Sequence, residues 1–399
     1  MNKNKIKLIF LKNILILCFI FLIFFNFQVI YSSFYNIKSL YFLCNYHVAI
    51  IFTEPYKYKY GESKAEYIID ELIKTAKKSI KIMIFDIDSA KLIKTLLQKQ
   101  KENVDIQIII DEKNTPPEVK DIFIQKNMII PYKNSKYMHH KIILIDNNIL
   151  ITGSANFTVN CLYKNNNDII VLSKLKLDFI KNKFDKNYYD SISIRNLSEE
   201  TLNKEFDKIF NYFNYYFELF KDKENLTKNL VQKEQLFSIN RSLIRILFTK
   251  FIFKDSNDNL YEVNDVIKDY IKKSLKRIVF SYSTFTNIEI ANLIINRTKE
   301  KNLEFLGMLE SLNAGSKYSV FQIFEENNMN IFKDRNEGLL HHKFLIIDSY
   351  LLTGSYAIAE RTNKISSKKY NDDLLIIFQD NNFANIYYFY LNNLVKNQF

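Results

Sequence analysis

Tryptophan is absent, and the 399 residues include only 6 Gly, 4 Pro and 3 Cys. So little Gly and Pro excludes collagen-like chain and flexible low-complexity linkers. It also makes each Gly informative, since the residue is used almost only where its conformational freedom is needed. Cys18, Cys44 and Cys161 lack metal-site spacing, and no disulfide framework can be built on them. Histidine is scarce too, with five in the chain. The missing Trp accompanies heavy use of Lys, Ile, Asn, Phe and Tyr, and reads as compositional drift.

What is present is ordinary for a folded chain: 47% hydrophobic and 25% charged residues, which excludes wholesale disorder. The length suits two or three domains at roughly 150 residues each. A net charge of +12 favours phosphate-bearing partners such as lipid headgroups or nucleic acid, against the plain alternative of a solvated Lys-rich surface.

Near the start, Lys3, Lys5, Lys7 and Lys12 precede an uncharged apolar run from Ile14 to Tyr31. Its 18 residues are about the minimum for a spanning helix and exceed a usual signal-peptide core. The run predicts one N-terminal membrane helix, with the lysines inside and the rest of the chain extracytoplasmic, or secreted if the segment is cleaved.

Beyond it the chain repeats itself. MHHKIILIDNNILITGSANF (Met138–Phe157) returns as LHHKFLIIDSYLLTGSYAIA (Leu340–Ala359), offset by 202 residues. AKKSIKIMIF from Ala76 returns as IKKSLKRIVF from Ile271, and Phe52-Thr53 returns as Phe248-Thr249. Three segments in one order at nearly constant offset define two similar halves. The expected organisation is 1–44 lysines and anchor, 45–221 first half, 222–235 connection and 236–399 second half. Within the first half, Val48–Phe52, Ile80–Phe85 and Asp105–Ile110 read as strands, and Lys64–Lys78 and Ser89–Gln100 as helices. Phe206–Lys221 and Phe383–Val395 read as the helices that close each half. The fold class expected is α/β, two pseudo-twofold-related βα sandwich halves behind an N-terminal membrane helix.

Four of the five histidines, His139, His140, His341 and His342, lie in the repeated motif. A lone His is more often structural; two His-His-Lys copies at matching positions reverse that prior. On a strand, residues i and i+2 share a face, so His139 aligns with Lys141 and His341 with Lys343, while His140 and His342 point away. Asp146 and Asp348 fall at the far end of the strand, where they read as turn and anchoring residues. Asn147-Asn148 predicts a two-residue hairpin turn, repeated after Asp348. The return strands end in Gly153-Ser154 and Gly354-Ser355, where Ser154, Ser355 and Asn156 could donate to an anionic oxygen. Two imidazoles and two ammonium groups suit exchange at a phosphodiester: one His attacks phosphorus, the other serves as acid and then base, and the lysines offset charge. No metal or cofactor is called for in this scheme.

The doubled His-x-Lys-x4-Asp string followed by Gly-Ser resembles the phospholipase D superfamily, over about residues 48–397. The resemblance implies catalytic roles for His139, Lys141, Asp146, His341, Lys343 and Asp348, and a metal-independent phosphodiesterase or phosphatidyltransferase working through a phosphohistidine. It also implies an acidic residue downstream of each motif that hydrogen-bonds a catalytic His, often from the opposite half. The candidates are Asp168, Asp372 and Asp373; Asn167 stands where the family usually has Glu, and Ala357 stands where Asn156 stands in the first half. A phospholipid of the membrane is the expected substrate, with nucleic acid the alternative and cardiolipin-type phosphatidyl transfer a third reading. No obligate protein partner is expected of a pseudo-dimeric monomer.

Overall fold

Short runs of β-branched residues alternate with amphipathic helices, and each half folds around one mixed sheet. The computed structural model describes residues 39–398 apart from 56, 58–62, 112, 133–136, 185–197, 222–229, 234, 241, 256–257 and 360–370. Ser39–Phe389 form one compact unit, and the chain from Tyr390 on belongs to another.

The first sheet comprises β1 (Leu40–Leu43), β2 (Val48–Phe52), β3 (Ser79–Ile84), β4 (Asp105–Asp111), β5 (Ile129–Tyr132), β6 (Lys141–Ile145), β7 (Ile149–Gly153) and β8 (Asp168–Ser173). Their order is β1-β2-β8-β7-β6-β3-β4-β5. β3, β4 and β5 are parallel and the other pairings antiparallel. The parallel strands are joined by α1 (Lys64–Lys74) before β3, α2 (Ala90–Lys101) and α3 (Pro117–Gln125). Ser63 and Ser89 cap α1 and α2 through their hydroxyls, satisfying N–H groups that a helix start leaves open. β6, β7 and β8 read KIILI, ILITG and DIIVLS and are buried on both faces, which is why their sequences run apolar without alternation.

After α4 (Asp178–Phe184) and the long α5 (Glu199–Lys221), the second sheet repeats the first strand for strand. It comprises β10 (Leu236–Ile239), β11 (Ser242–Phe248), β14 (Arg277–Tyr282), β15 (Glu304–Leu309), β16 (Ile331–Lys333), β17 (Lys343–Ile347), β18 (Tyr350–Gly354) and β19 (Leu374–Gln379), in the corresponding order β10-β11-β19-β18-β17-β14-β15-β16. Its helices are α6 (Val263–Lys273), α7 (Ile288–Lys301), the short α8 (Ser311–Ala314) and α9 (Phe321–Glu326), and α10 (Asn381–Gln398). β9 (Leu230–Lys233), β12 (Phe251–Lys254) and β13 (Leu260–Tyr261) form a small extra sheet.

The α/β class and the two-halved plan stand, with three corrections. Part of the expected 222–235 connection, Leu230–Lys233, is a strand, and the first sheet already begins at Leu40. The first hairpin turn has three residues, Asp146 to Asn148, between the paired Ile145 and Ile149, whereas the second has two, Asp348 and Ser349. Asp146, Asn147 and Asp348 take left-handed φ of 52°, 54° and 54°, a conformation that short polar side chains tolerate. The third concerns localisation. Among the described residues no helix is long and apolar enough to cross a membrane, and Ile14–Tyr31 lies outside them; the expectation of a membrane-anchored, extracytoplasmic chain is therefore withdrawn.

Candidate active site

The two His-x-Lys segments enter the central strands β6 and β17 at the same edge of their sheets, and the halves exchange contacts there. Met138 is bridged to Asp372 and Asn166 to Leu340. The His139 N–H donates to the Asp372 carbonyl at 2.9 Å, and the His341 N–H to the Asn166 carbonyl at 2.8 Å. The start of each of these strands is thus held from the opposite half by the residues leading into β8 or β19.

The side chains follow the same exchange. His139 Nδ1 donates to Asp373 Oδ1 at 2.7 Å, and His341 Nδ1 donates to Asn167 Oδ1 at 2.8 Å. Both acceptors can only accept, so each ring carries its proton on Nδ1 and keeps a lone pair on Nε2. Lys141 Nζ donates to the His139 carbonyl at 2.7 Å; Lys343 Nζ lies 3.1 Å from both the His341 carbonyl and Nε2. The ring of Phe85 packs edge-on to His139 at 5.0 Å, with the Lys141 ammonium 5.2 Å from its centroid.

Burial dominates the electrostatics. It holds His139 down to about 4, helped by Lys141 and opposed by Asp373, and holds His341 well below its usual range with Lys343 and Lys141 adding to the effect. Burial and then the like charge of Lys343 bring Lys141 to about 7, and burial brings Lys343 to about 8. Burial would raise Asp373, but the His139 ring and the Ser355 hydroxyl outweigh it and leave the carboxyl below its ordinary value. The bridges of Met138 to Asp372 and Asn166 to Leu340 set the two motifs side by side, near enough for the charges of Lys141 and His139 to act on His341.

Of the expected site residues, His139, Lys141, His341, Lys343 and Asp373 are brought together. Asp146 and Asp348 are not: each lies at the far end of its strand, about 16 Å from the lysine at about 3.3 Å per residue. Asp146 accepts the N–H groups of Lys77, Lys78 and Ser79 at 2.7–2.8 Å, and Asp348 those of Leu275, Lys276 and Arg277 at 2.7–3.1 Å. They anchor the chain entering β3 and β14, as the turn reading had it. Ser154 and Ser355 spend their hydroxyls inside the protein, donating to Asn167 Oδ1 at 3.2 Å and Asp373 Oδ1 at 2.7 Å. They steady the acceptors of the two histidines, so the phosphate contact expected of these hydroxyls is corrected to a positioning one. Asn156 is buried, and its Oδ1 has no hydrogen-bond partner among the described residues.

Asp168 and Asp372 hold groups other than the rings of His139 and His341. Asp168 accepts from His342 Nδ1 at 3.3 Å, the Thr353 hydroxyl at 2.8 Å and the Tyr387 hydroxyl at 2.9 Å. The Asp372 carboxylate takes the Tyr132 hydroxyl. The residue that pairs with Asp373 is Asn167: both follow the same contact, in which Thr53 or Thr249 donates its N–H to the Asn167 or Asp373 carbonyl at 3.0 Å. The offset of Thr53 and Thr249 was the signal for this in the sequence. Gly153 and Gly354, at φ of 146° and 143°, lie where a Cβ would run into the carbonyls of Asp168 and Leu374, so only Gly lets the return strands close on β8 and β19.

A protein family described as "Cardiolipin synthase, PLD-like domain" matches residues 69–188, which hold the first motif and Asn167. This match, with relatives named phospholipase D and cardiolipin hydrolase, supports the phospholipase D superfamily for the chain. Among superfamily relatives, the mitochondrial cardiolipin hydrolase of Chlamydomonas reinhardtii is 30% identical over 116 residues, 28% of this chain and 52% of that protein. The phospholipase D of Rickettsia prowazekii (strain Madrid E) is 24% identical over 156 residues, 38% of this chain and 73% of that protein. The chain spans about half the length of the cardiolipin hydrolases it matches. Among solved structures, a phosphatidylserine synthase of Haemophilus influenzae aligns over 93% of this chain and 90% of its own, with a TM-score of 0.54 at 14% identity; that likeness carries the fold alone.

Proposed function

We propose that the chain is a phospholipase D-type phosphodiesterase that hydrolyses a phospholipid to phosphatidic acid and the free headgroup alcohol. The observation that carries this reading is the exchange of histidine partners: His139 is held by Asp373 of the second half and His341 by Asn167 of the first, each beside a buried lysine. In the first step Nε2 of one histidine attacks phosphorus, and the bond from phosphorus to the headgroup oxygen breaks. The leaving alkoxide takes a proton from Nε2 of the other histidine, which must enter this step as the imidazolium, having taken that proton from solvent before or as the substrate anion binds. In the second step that histidine removes a proton from water, the hydroxide attacks phosphorus, and the P–N bond breaks. Lys141 and Lys343 offset charge on the equatorial oxygens, a role that needs them protonated while substrate is bound.

A second reading is supported by the matched family, whose description is a cardiolipin synthase. An alcohol in place of water would then take the phosphatidyl group, with the same steps before it. The experiment is product analysis of the purified chain with labelled phospholipid and single-stranded DNA side by side, with and without a primary alcohol and with chelator. Phosphatidic acid, partly replaced by phosphatidyl alcohol, is the expected product. Cleavage of DNA alone, requiring both histidines, would replace the lipid reading with a nuclease.

A further inference from the structure

The two sides of the cleft are built on one plan but carry different side chains at its rim. β17 runs antiparallel to β14, placing Lys343 opposite Tyr282, the last residue of β14. Tyr282 is in turn level with Leu309, the last residue of β15, and Leu309 with Lys333 of β16. The chain leaving β14, β15 and β16 and the chain entering β17 therefore share the edge that bears His341 and Lys343. Four large apolar side chains stand in those segments with much of their surface in solvent: Ile288 at 48%, Leu312 at 78%, Tyr318 at 54% and Leu339 at 42%. In the first half, Lys113 takes the place of Leu312 and Ala90 that of Ile288. Tyr137 alone, in the place of Leu339, is a large exposed apolar residue there among the described residues.

The cations of this edge are also exposed, and several of its carboxylates are withdrawn. Lys317 lies with its ammonium 5.0 Å from the Tyr318 ring, and Lys333 4.6 Å from that of Phe321. Arg335 is exposed beside them. Glu310 and Asp334 are buried and accept backbone N–H groups, and Glu289 beside Ile288 is paired with Lys268 at 2.7 Å, which leaves Glu325, Glu337, and Glu326 at the edge of a cavity, as opposing charges. That cavity, about 450 Å³, opens beside the rim; Ile288, Tyr318, Ile323 and Ala359 line it, with Lys317 at its edge.

We infer that the second-half rim of the cleft is a membrane-seating surface, in which Leu312, Tyr318, Ile288 and Leu339 enter an anionic phospholipid bilayer and Lys317, Lys333 and Arg335 face its phosphates. Exposed apolar side chains flanked by cations gain from both burial in the acyl boundary and attraction to anionic headgroups. Seated this way, the chain meets the bilayer beside His341 and Lys343, where a headgroup phosphate must arrive. The inference rests on the phospholipid reading above.

The absence of Trp makes the test direct. Leu312→Trp and Tyr318→Trp each place one tryptophan on the rim of the full chain, and Leu260→Trp places one on β13, where Leu260 is 61% exposed. With phosphatidylglycerol vesicles, emission of the two rim reporters should shift to the blue and be quenched by lipids brominated on the acyl chain, and that of Leu260→Trp should not. Each reporter reads its own surroundings, so vesicle binding through another part of the chain does not mimic the result. Leu312→Ser with Tyr318→Ser should lower turnover on vesicles about tenfold or more, leaving turnover of a monomeric short-chain phosphodiester unchanged. Unshifted rim reporters, a shift equal to that of Leu260→Trp, or a response to single-stranded DNA in place of vesicles would overturn the surface. Loss of all phosphodiester turnover with the rim shift intact would instead count against the catalytic reading.

Discussion

Asn167 and Asp373 occupy the same place in the two halves, and each holds the motif histidine of the other half, His341 or His139, but only Asp373 is a carboxylate. The pair breaks the symmetry where the chemistry is most sensitive to it. A carboxylate at Nδ1 favours the imidazolium form, and an amide carbonyl favours only the tautomer.

Asp373→Asn should therefore leave the fold in place and lower turnover by about 10²-fold or more, because it removes the charge that supports positive His139. Asn167→Asp should raise the pKa of His341 and move the corresponding limb of the pH–rate profile to higher pH. A profile unmoved by Asn167→Asp would separate His341 from the rate-determining proton transfer.

His139→Asn and His341→Asn should each lower the rate on the order of 10³-fold or more, since in the proposed mechanism one ring forms the bond to phosphorus and the other moves the proton. Full activity in either single variant would make its motif vestigial. His140 is a different case. It is fully buried, hydrogen-bonded to the Tyr216 hydroxyl at 3.1 Å and packed edge-on against Tyr216, Phe220 and Phe248. His140→Ala should cost about 2–4 kcal/mol of stability in urea denaturation, with turnover of the folded fraction nearly unchanged.

Asp146→Ala and Asp348→Ala should behave as structural variants. Each strands three backbone N–H groups, although most of these lie near solvent, so a loss of about 1–3 kcal/mol is expected. A rate loss comparable to that of His139→Asn, at full stability, would return these residues to the chemistry.

Much of this was legible in the sequence for physical reasons. The strands β2, β3, β4, β6 and β7 are short apolar runs between helical patterns, and the repeat placed both His-x-Lys pairs on equivalent strands. The two-residue alternation of a strand separates His139 and His341, which meet Asp373 and Asn167, from the buried His140 and His342, which meet Tyr216 and Asp168. What was not legible depended on contact between the halves. Acidity points to Asp168, whereas the amide of Asn167, at the position where the resemblance implies Glu, is what holds His341. The register that makes Asn167 the partner of Asp373 is set by Thr53 and Thr249, far away in the chain. Ser154 and Ser355 looked like free donors because their acceptors come from neighbouring strands. The long α5 read as a cap on the first half, yet its Tyr216 stacks on Phe248 of the second. The hairpins at Asp146 and Asp348 differ by one residue, which the matching Asp and Gly-Ser steps of the two motifs do not reveal.

The two lysines should make substrate binding depend on pH in a definite direction. In the free site Lys141 is held at about 7 and Lys343 at about 8, chiefly by burial and, for Lys141, next by the charge of Lys343. Both values lie below that of an ordinary Lys, so each ammonium loses its proton earlier as pH rises. A phosphodiester anion in the cleft favours both ammonium forms and draws the values back up. Binding must then take up protons, and affinity must fall as pH climbs from the protonated side through 7 and 8. A short-chain phosphatidylglycerol keeps one negative charge across this range, and His139→Asn blocks its turnover without adding a charge. Titration calorimetry of this variant in two buffers of different ionisation enthalpy should show proton uptake near pH 8. The Kd should rise by about tenfold per pH unit for each proton taken up. A Kd flat from pH 6 to 9 with no proton uptake would mean that both lysines are already charged in the empty cleft, and that buried neutral lysines play no part in admitting the phosphate.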